Sequence, residues 1–273
     1  MIRASTLLDM IQRIVALLLL AAAVTLPQTT PRPEFEVASI RPSKTGGGWM
    51  GAGDGSASEH NVTVKNLMTV AYRIQDFQLS GGPGWTDSDR FDVEAKAADH
   101  NATPDQVRLM LQSLLEDRFR LKLHRETKES SIYALVIDKG GLKMKPSADQ
   151  TSEDVNGPSP EGTLNRGNIR YGNGSLTGNA VTMALFTKML SGSLDRTIVD
   201  KTNLTGRFDL RLQWTPGVGE ASFDPGGTQV APADSSGVSI FTAIQEQLGL
   251  KLESQKGPVE MFVIDSVERP SAN

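Results

Sequence analysis

The chain of 273 residues contains no cysteine. Disulfides, thiolate nucleophiles, thiolate-bound zinc and lipid attachment through a cysteine are therefore excluded. Basic residues are not in excess. Lys and Arg number 28 against 32 Asp and Glu, a formal net charge of −4. Nothing in that balance supports binding to nucleic acid, whose phosphates need a cationic surface. Apolar residues make up 38 % and charged residues 22 %, a composition that excludes a wholly disordered chain. Several catalytic patterns are missing as well: G-x-S-x-G, S-x-x-K, a P-loop and H-E-x-x-H do not occur. Gly46-Gly-Gly48-Trp-Met-Gly51 satisfies G-x-G-x-x-G, but no helix start follows it, so it reads as a flexible loop.

No apolar run is long enough for a clear transmembrane helix, which needs about 20 residues. The longest begins after Arg13, where Ile14 to Leu26 runs thirteen residues without a charge. That length fits the apolar core of a secretory signal, about 7–15 residues. Ala21, Ala22 and Ala23 offer a small-residue cleavage region, and Pro27 ends the helix. Residues 1–26 are thus expected to be a signal peptide, with an uncleaved anchor as the alternative. The mature protein is expected in the periplasm or outside the cell, with no membrane span left.

Beyond the signal the sequence repeats an order of elements. Phe35 to Ile40 alternates as a strand, and Gly46 to Gly55 reads as a glycine-rich loop. Thr63 caps a helix striped by Val64, Leu67, Met68 and Ala71. Gly81 to Trp85 is a turn, and Arg90 to Lys96 alternates as a strand. Thr103-Pro-Asp-Gln106 is a capping box ahead of the stripe Val107, Met110, Leu111, Leu114, Leu115. Phe119, Leu121 and Leu123 mark one strand and Ile132 to Ile137 another, with Lys128 and Glu129 in a hairpin between them. The second half replays this. Val181-Thr182 answers Val62-Thr63, and Arg207-Phe-Asp-Leu210 answers Arg90-Phe-Asp-Val93. Leu250-Lys-Leu252 answers Leu121-Lys-Leu123, and Val263-Ile-Asp265 answers Val136-Ile-Asp138. Met183, Phe186 and Leu190 stripe one helix of this half, and Ile240, Ile244 and Leu248 the other.

The expected fold is α+β: two tandem two-layer modules, each strand–helix–strand–strand–helix–strand–strand, related by duplication. The boundaries are 35–145 for the first module, 146–162 for a linker and 163–270 for the second module. A Gly/Pro/Asp/Ser-rich insertion at 215–238 is read as flexible.

Candidate chemistry is sparse. Asp87, Asp89 and Asp92 cluster without the glycine and distal glutamate of a calcium loop, and read as solvated carboxylates. His60, His100 and His124 are the only histidines and lack partners at helical spacing. Glu116 and Asp117 adjoin and so diverge on a helix. No catalytic, cofactor-binding or metal-binding residue is assigned, and no cofactor is expected. In Arg118-Phe-Arg-Leu-Lys-Leu-His-Arg125, strand periodicity sets Phe119, Leu121 and Leu123 on one face and Arg118, Arg120, Lys122 and His124 on the other. That cationic stripe suits an anionic partner, such as an acidic protein face or an envelope polymer. Trp85 reads either as an interface anchor or as a lid on the core.

The strings FEVASIRPS, GGPGW, DRFDVEAKA, LLEDRFRLKLHRETKE, DKTNLTGRFD and QEQLGLKLESQKGPVEMFVID resemble a large exported family of unknown function from soil bacteria, especially acidobacteria. The resemblance covers nearly the whole chain beyond the signal and implies no established activity. Similar domains are fused to membrane-bound zinc metallopeptidase receptors of the beta-lactam-sensing type; this chain has no such peptidase part. Each half also resembles, in its order of elements, the short N-terminal module of secretins and TonB-dependent receptors. The matching residues are Val62-Thr63, Leu67, Leu114-Leu115 and Leu121-Lys-Leu123. That likeness implies a periplasmic docking or signalling role. The expectation is therefore an exported, non-enzymatic protein that binds another envelope protein, with binding of anionic polymers or small ligands as the alternative and an enzyme with a site between the modules as a third class.

Overall fold

The computed structural model describes residues 32–44, 49–53, 55–151, 164–216 and 237–270, with main chain alone for 49–53. The apolar segment 14–26, the glycines Gly46 to Gly48, most of the expected linker (152–162) and the heart of the expected insertion (217–236) lie outside the described residues. From Glu34 onward the described residues form one compact unit. It is α+β, with three four-stranded sheets among the described residues.

The first sheet holds β1 (Val37–Pro42), β2 (Trp49–Gly53), β3 (Ser56–Thr63) and β5 (Arg90–Lys96), in the order β1-β5-β3-β2. Residues 49–53, read from sequence as loop, pair with β3 as a hairpin that turns through Gly55 at φ +67°. Another sheet holds β7 (Lys145–Pro146), β8 (Asn168–Gly172), β9 (Ser175–Thr182) and β11 (Arg207–Gln213), in the order β7-β11-β9-β8. The start of the expected linker is thus a sheet edge. Gln150 continues it, donating from Nε2 to the Arg207 carbonyl and accepting the Arg207 N–H.

Between them lies the sheet that joins the halves. β6 (Lys122–Ile137) and β12 (Leu250–Ser266) are 16 and 17 residues long and run antiparallel. β4 (Leu79–Gly81) pairs in parallel with β12, and β10 (Ile198–Asp200) in parallel with β6. The sequence reading gave each half its own last sheet. In the structure each long strand takes its outer neighbour from the other half. The expected hairpin at Lys128 and Glu129 is absent, because β6 continues straight through both residues.

Helices cover the inner faces. α1 (Val64–Tyr72) begins at Thr63, whose side chain and that of Asn66 form a capping box. α2 (Trp85–Ser88) is a single turn, and α3 (Pro104–Arg118) starts from the Thr103–Gln106 box with proline in its first turn. α4 (Met183–Ser193) is capped by Thr182. α5 (Ile240–Ala243) starts at Ser239 and runs on through a π-turn to Leu248. One core gathers Leu67, Met68, Leu111, Leu115 and Phe119 against Phe262 and Ile264 of β12. The other gathers Phe186, Leu190, Leu212, Ile240 and Ile244 against Leu135 of β6. Each core thus borrows apolar side chains from the opposite half. Each such large side chain, once buried, contributes about 1.5–3 kcal/mol.

The repeated Arg-Phe-Asp string has one local task in both outer sheets. His60 and Asn61 oppose the single residue Asp92 where the register shifts, and Asn179 and Ala180 likewise oppose Asp209. The bulged residues take positive φ, 52° at Asn61 and 49° at Ala180. Asp92 accepts the Asn61 N–H at 2.8 Å while Arg90 Nη1 donates to the Asn61 carbonyl at 2.8 Å. Asp209 and Arg207 hold Ala180 in the same way, at 2.9 and 2.8 Å.

Candidate functional site

The expected cationic stripe is broken by the end of α3. Arg118 closes that helix, and Phe119 is its buried cap rather than a strand residue. Phe119 meets the Phe91 ring edge-on at 5.5 Å. Arg120 turns the chain at φ 51°, so the strand begins only at Lys122. Of the four stripe residues, Lys122 and His124 alone sit on β6. His124 Nδ1 is 2.8 Å from Asp265 Oδ1. Trp85 lies elsewhere, half-buried at the start of α2, with the Arg269 guanidinium 4.9 Å from its ring centre. Arg269 in turn donates to Asp89 at 2.8 Å. Asp87 pairs with Lys65 at 3.2 Å, and Asp92 is engaged in the bulge. The three carboxylates therefore have separate partners. Among the described residues no group of three or more His, Asp or Glu could hold a metal ion.

Lys122 and His124 line an open cleft of about 360 Å³, together with Tyr72, Glu116, Leu121, Leu123, Arg125 and Phe262. The Arg125 guanidinium lies over the Phe262 ring, 4.9 Å from its centre, and comes within 3.6 Å of Glu260. Strand alternation does not single out Arg125, because it falls on the face of Leu121 and Leu123. Its signal was the phenylalanine at position 262, which the register places directly opposite.

The cleft opens beside an unpaired strand edge. β10 reaches only Tyr133 to Leu135 of β6. Tyr133 N–H donates to the Thr197 carbonyl, and the Leu135 carbonyl accepts from Lys201, so these residues turn their main chain toward β10. A strand alternates with period 2, so Leu123, Arg125, Thr127, Glu129 and Ser131 turn the same way. Among the described residues no main chain pairs with them there. The matching edge of β12 is closed differently. Gln78 Nε2 donates to the outward Glu260 carbonyl at 3.0 Å, and Pro258, two residues along, has no N–H to offer.

A second feature has no signal in the sequence. Glu59 on β3 is 2 % exposed, and among the described residues its Oε2 has no hydrogen-bond partner. Burial, then repulsion from Glu94, pushes its pKa up to about 8. The neighbouring His60 Nε2 contacts Glu94 at 2.9 Å on the outer face of the sheet.

Comparison with known families decides the grouping. The model of a family described as "Protein of unknown function (DUF3738)" matches residues 65–267, well over half of the chain. The chain belongs to that family. No curated protein and no solved structure matches it. The family brings no assigned chemistry. Among the described residues no helix is long and apolar enough to cross a membrane.

Proposed function

We propose that this member of the family is a non-enzymatic docking module that receives an extended protein segment along the free edge of β6. The observation that carries the reading is the asymmetry of the two long strands: one edge is closed by Pro258 and Gln78, and along the other no main chain among the described residues pairs with Leu123 to Ser131, beside a cleft. Added strands gain main-chain hydrogen bonds from such an edge and specificity from neighbouring pockets. The apolar segment before Pro27 supports export, and so an envelope location for the encounter. The likeness in element order to secretin and TonB-receptor modules supports the same setting. The shared Arg-Phe-Asp bulges and the matching strand orders of the outer sheets support descent by duplication from one such module, as two halves at 35–145 and 163–270.

A polyanion binder is the weaker reading. Glu116 lines the cleft, Glu260 faces Arg125, and Asp265 holds His124, so the local cations are balanced by carboxylates.

A photo-activatable residue at Thr127, compared in cells with one at Lys256 on the closed edge, tests the proposal. Adducts from position 127 and few from 256 are expected. Equal yields, or none from 127, would overturn it.

A further inference from the structure

The geometry points to a second copy of this chain as the occupant of the β6 edge. This rests on the docking reading above and names its partner.

Two copies of one strand pair antiparallel around a two-fold axis, and the axis fixes which residues meet. The outward residues of β6 are odd-numbered, so a register centred on Thr127 joins outward residue to outward residue. Thr127 then faces Thr127 of the second copy. Arg125 faces Glu129 of the second copy on one surface of the new sheet, and Glu126 faces Lys128 on the other. Both charged pairs occur twice by symmetry, and every facing charge is opposite in sign. About six main-chain hydrogen bonds form over the three central outward pairs.

The exposure of these side chains fits. Arg125 and Lys128 are 64 % and 54 % exposed, and Glu126 already sits 2.6 Å from Lys128 within one copy. Pairing would turn that contact into an alternating ring of four charges. Lysine and glutamate on an edge ordinarily repel an apolar strand. Here the pattern Arg-Glu-Thr-Lys-Glu discourages general strand addition and matches its own reverse. An unrelated strand would need the complementary charges in the same order.

The absence of cysteine makes the test direct. In the proposed register a single Thr127→Cys thiol faces its own copy with Cα atoms about 5.5 Å apart, within disulfide range. Mild oxidation of the full chain should give a covalent dimer from T127C and little from E129C, whose thiol faces Arg125. Lys128→Glu should weaken self-association by about tenfold or more in sedimentation, since glutamate then faces glutamate twice. Adding Glu126→Lys should restore it. A T127C chain that stays monomeric, crosslinking of E129C instead, or no rescue by the charge swap would each overturn the inference. Should T127C stay monomeric while the photo-activatable residue at Thr127 still labels another protein, docking stands and self-pairing falls. Failure of both removes docking as well.

Discussion

Pro258 of β12 stands directly opposite Glu129 of β6, and the two residues turn their main chains away from each other, toward opposite edges of the sheet. One edge is thereby proline-blocked, and the other is open among the described residues. The asymmetry arises in two strands of nearly equal length, 16 and 17 residues, paired at the junction of the halves.

Glu129→Pro should therefore close the second edge. Its N–H makes no ladder bond, so the fold should tolerate the change to within about 1 kcal/mol if φ is compatible. Capture at Thr127 should be lost. Retained capture with an intact thermal transition would mean that partners do not approach along this edge.

The Arg-Phe-Asp strings give a test of the bulges. Asp209→Ala leaves the buried Ala180 N–H without its acceptor and should cost about 1–3 kcal/mol in denaturant unfolding. Replacing Arg207 with methionine strands the Ala180 carbonyl and should cost a similar amount. Because both side chains hold one residue, the double variant should lose less than the sum of the singles. Simple additivity would show that the two contacts do not act as a clamp.

Local signals were legible where residues act on near neighbours. Thr63, Thr103 and Thr182 cap the helices that their sequence contexts announce. The matched Arg-Phe-Asp strings sit at equivalent bulges. What sequence did not show depends on partners far along the chain. Nothing near Leu79 tells that it pairs with Phe262 rather than a strand of its own half. The Lys128–Glu129 stretch lacks apolar residues and reads as a turn, yet it holds strand geometry because β12 supplies a continuous ladder. Phe119 fits strand alternation in Phe119, Leu121 and Leu123, but the positive φ at Arg120 separates it from β6. Glu59 alternates with Ala57 on the inner face, and no residue type warns that a carboxylate sits there.

Phe119 closes α3 and plugs the first core at 0 % exposure. Phe119→Ala should cost about 3–5 kcal/mol, the range for a large aromatic removed from a core. The far core, around Phe186, should keep its packing at low denaturant. Two-dimensional NMR or hydrogen exchange distinguishes a local from a general loosening. A loss under 1 kcal/mol would mean that Phe119 is a mere helix cap.

Glu59 gives the pH dependence. Its pKa rises from an ordinary 4.5 to about 8 on folding, mainly through burial. Between those values the folded state keeps a proton that the unfolded chain releases, so this residue's contribution to stability falls as pH rises and levels off above about 8. The slope is at most about 1.4 kcal/mol per pH unit. Other carboxylates add slopes of their own, so the comparison must be with Glu59→Gln. The variant should gain on the native protein steadily from pH 5 to about 8 in urea unfolding. A constant difference across that window would show that Glu59 is ionised in the folded state, and that the masking of its charge comes from a contact other than burial.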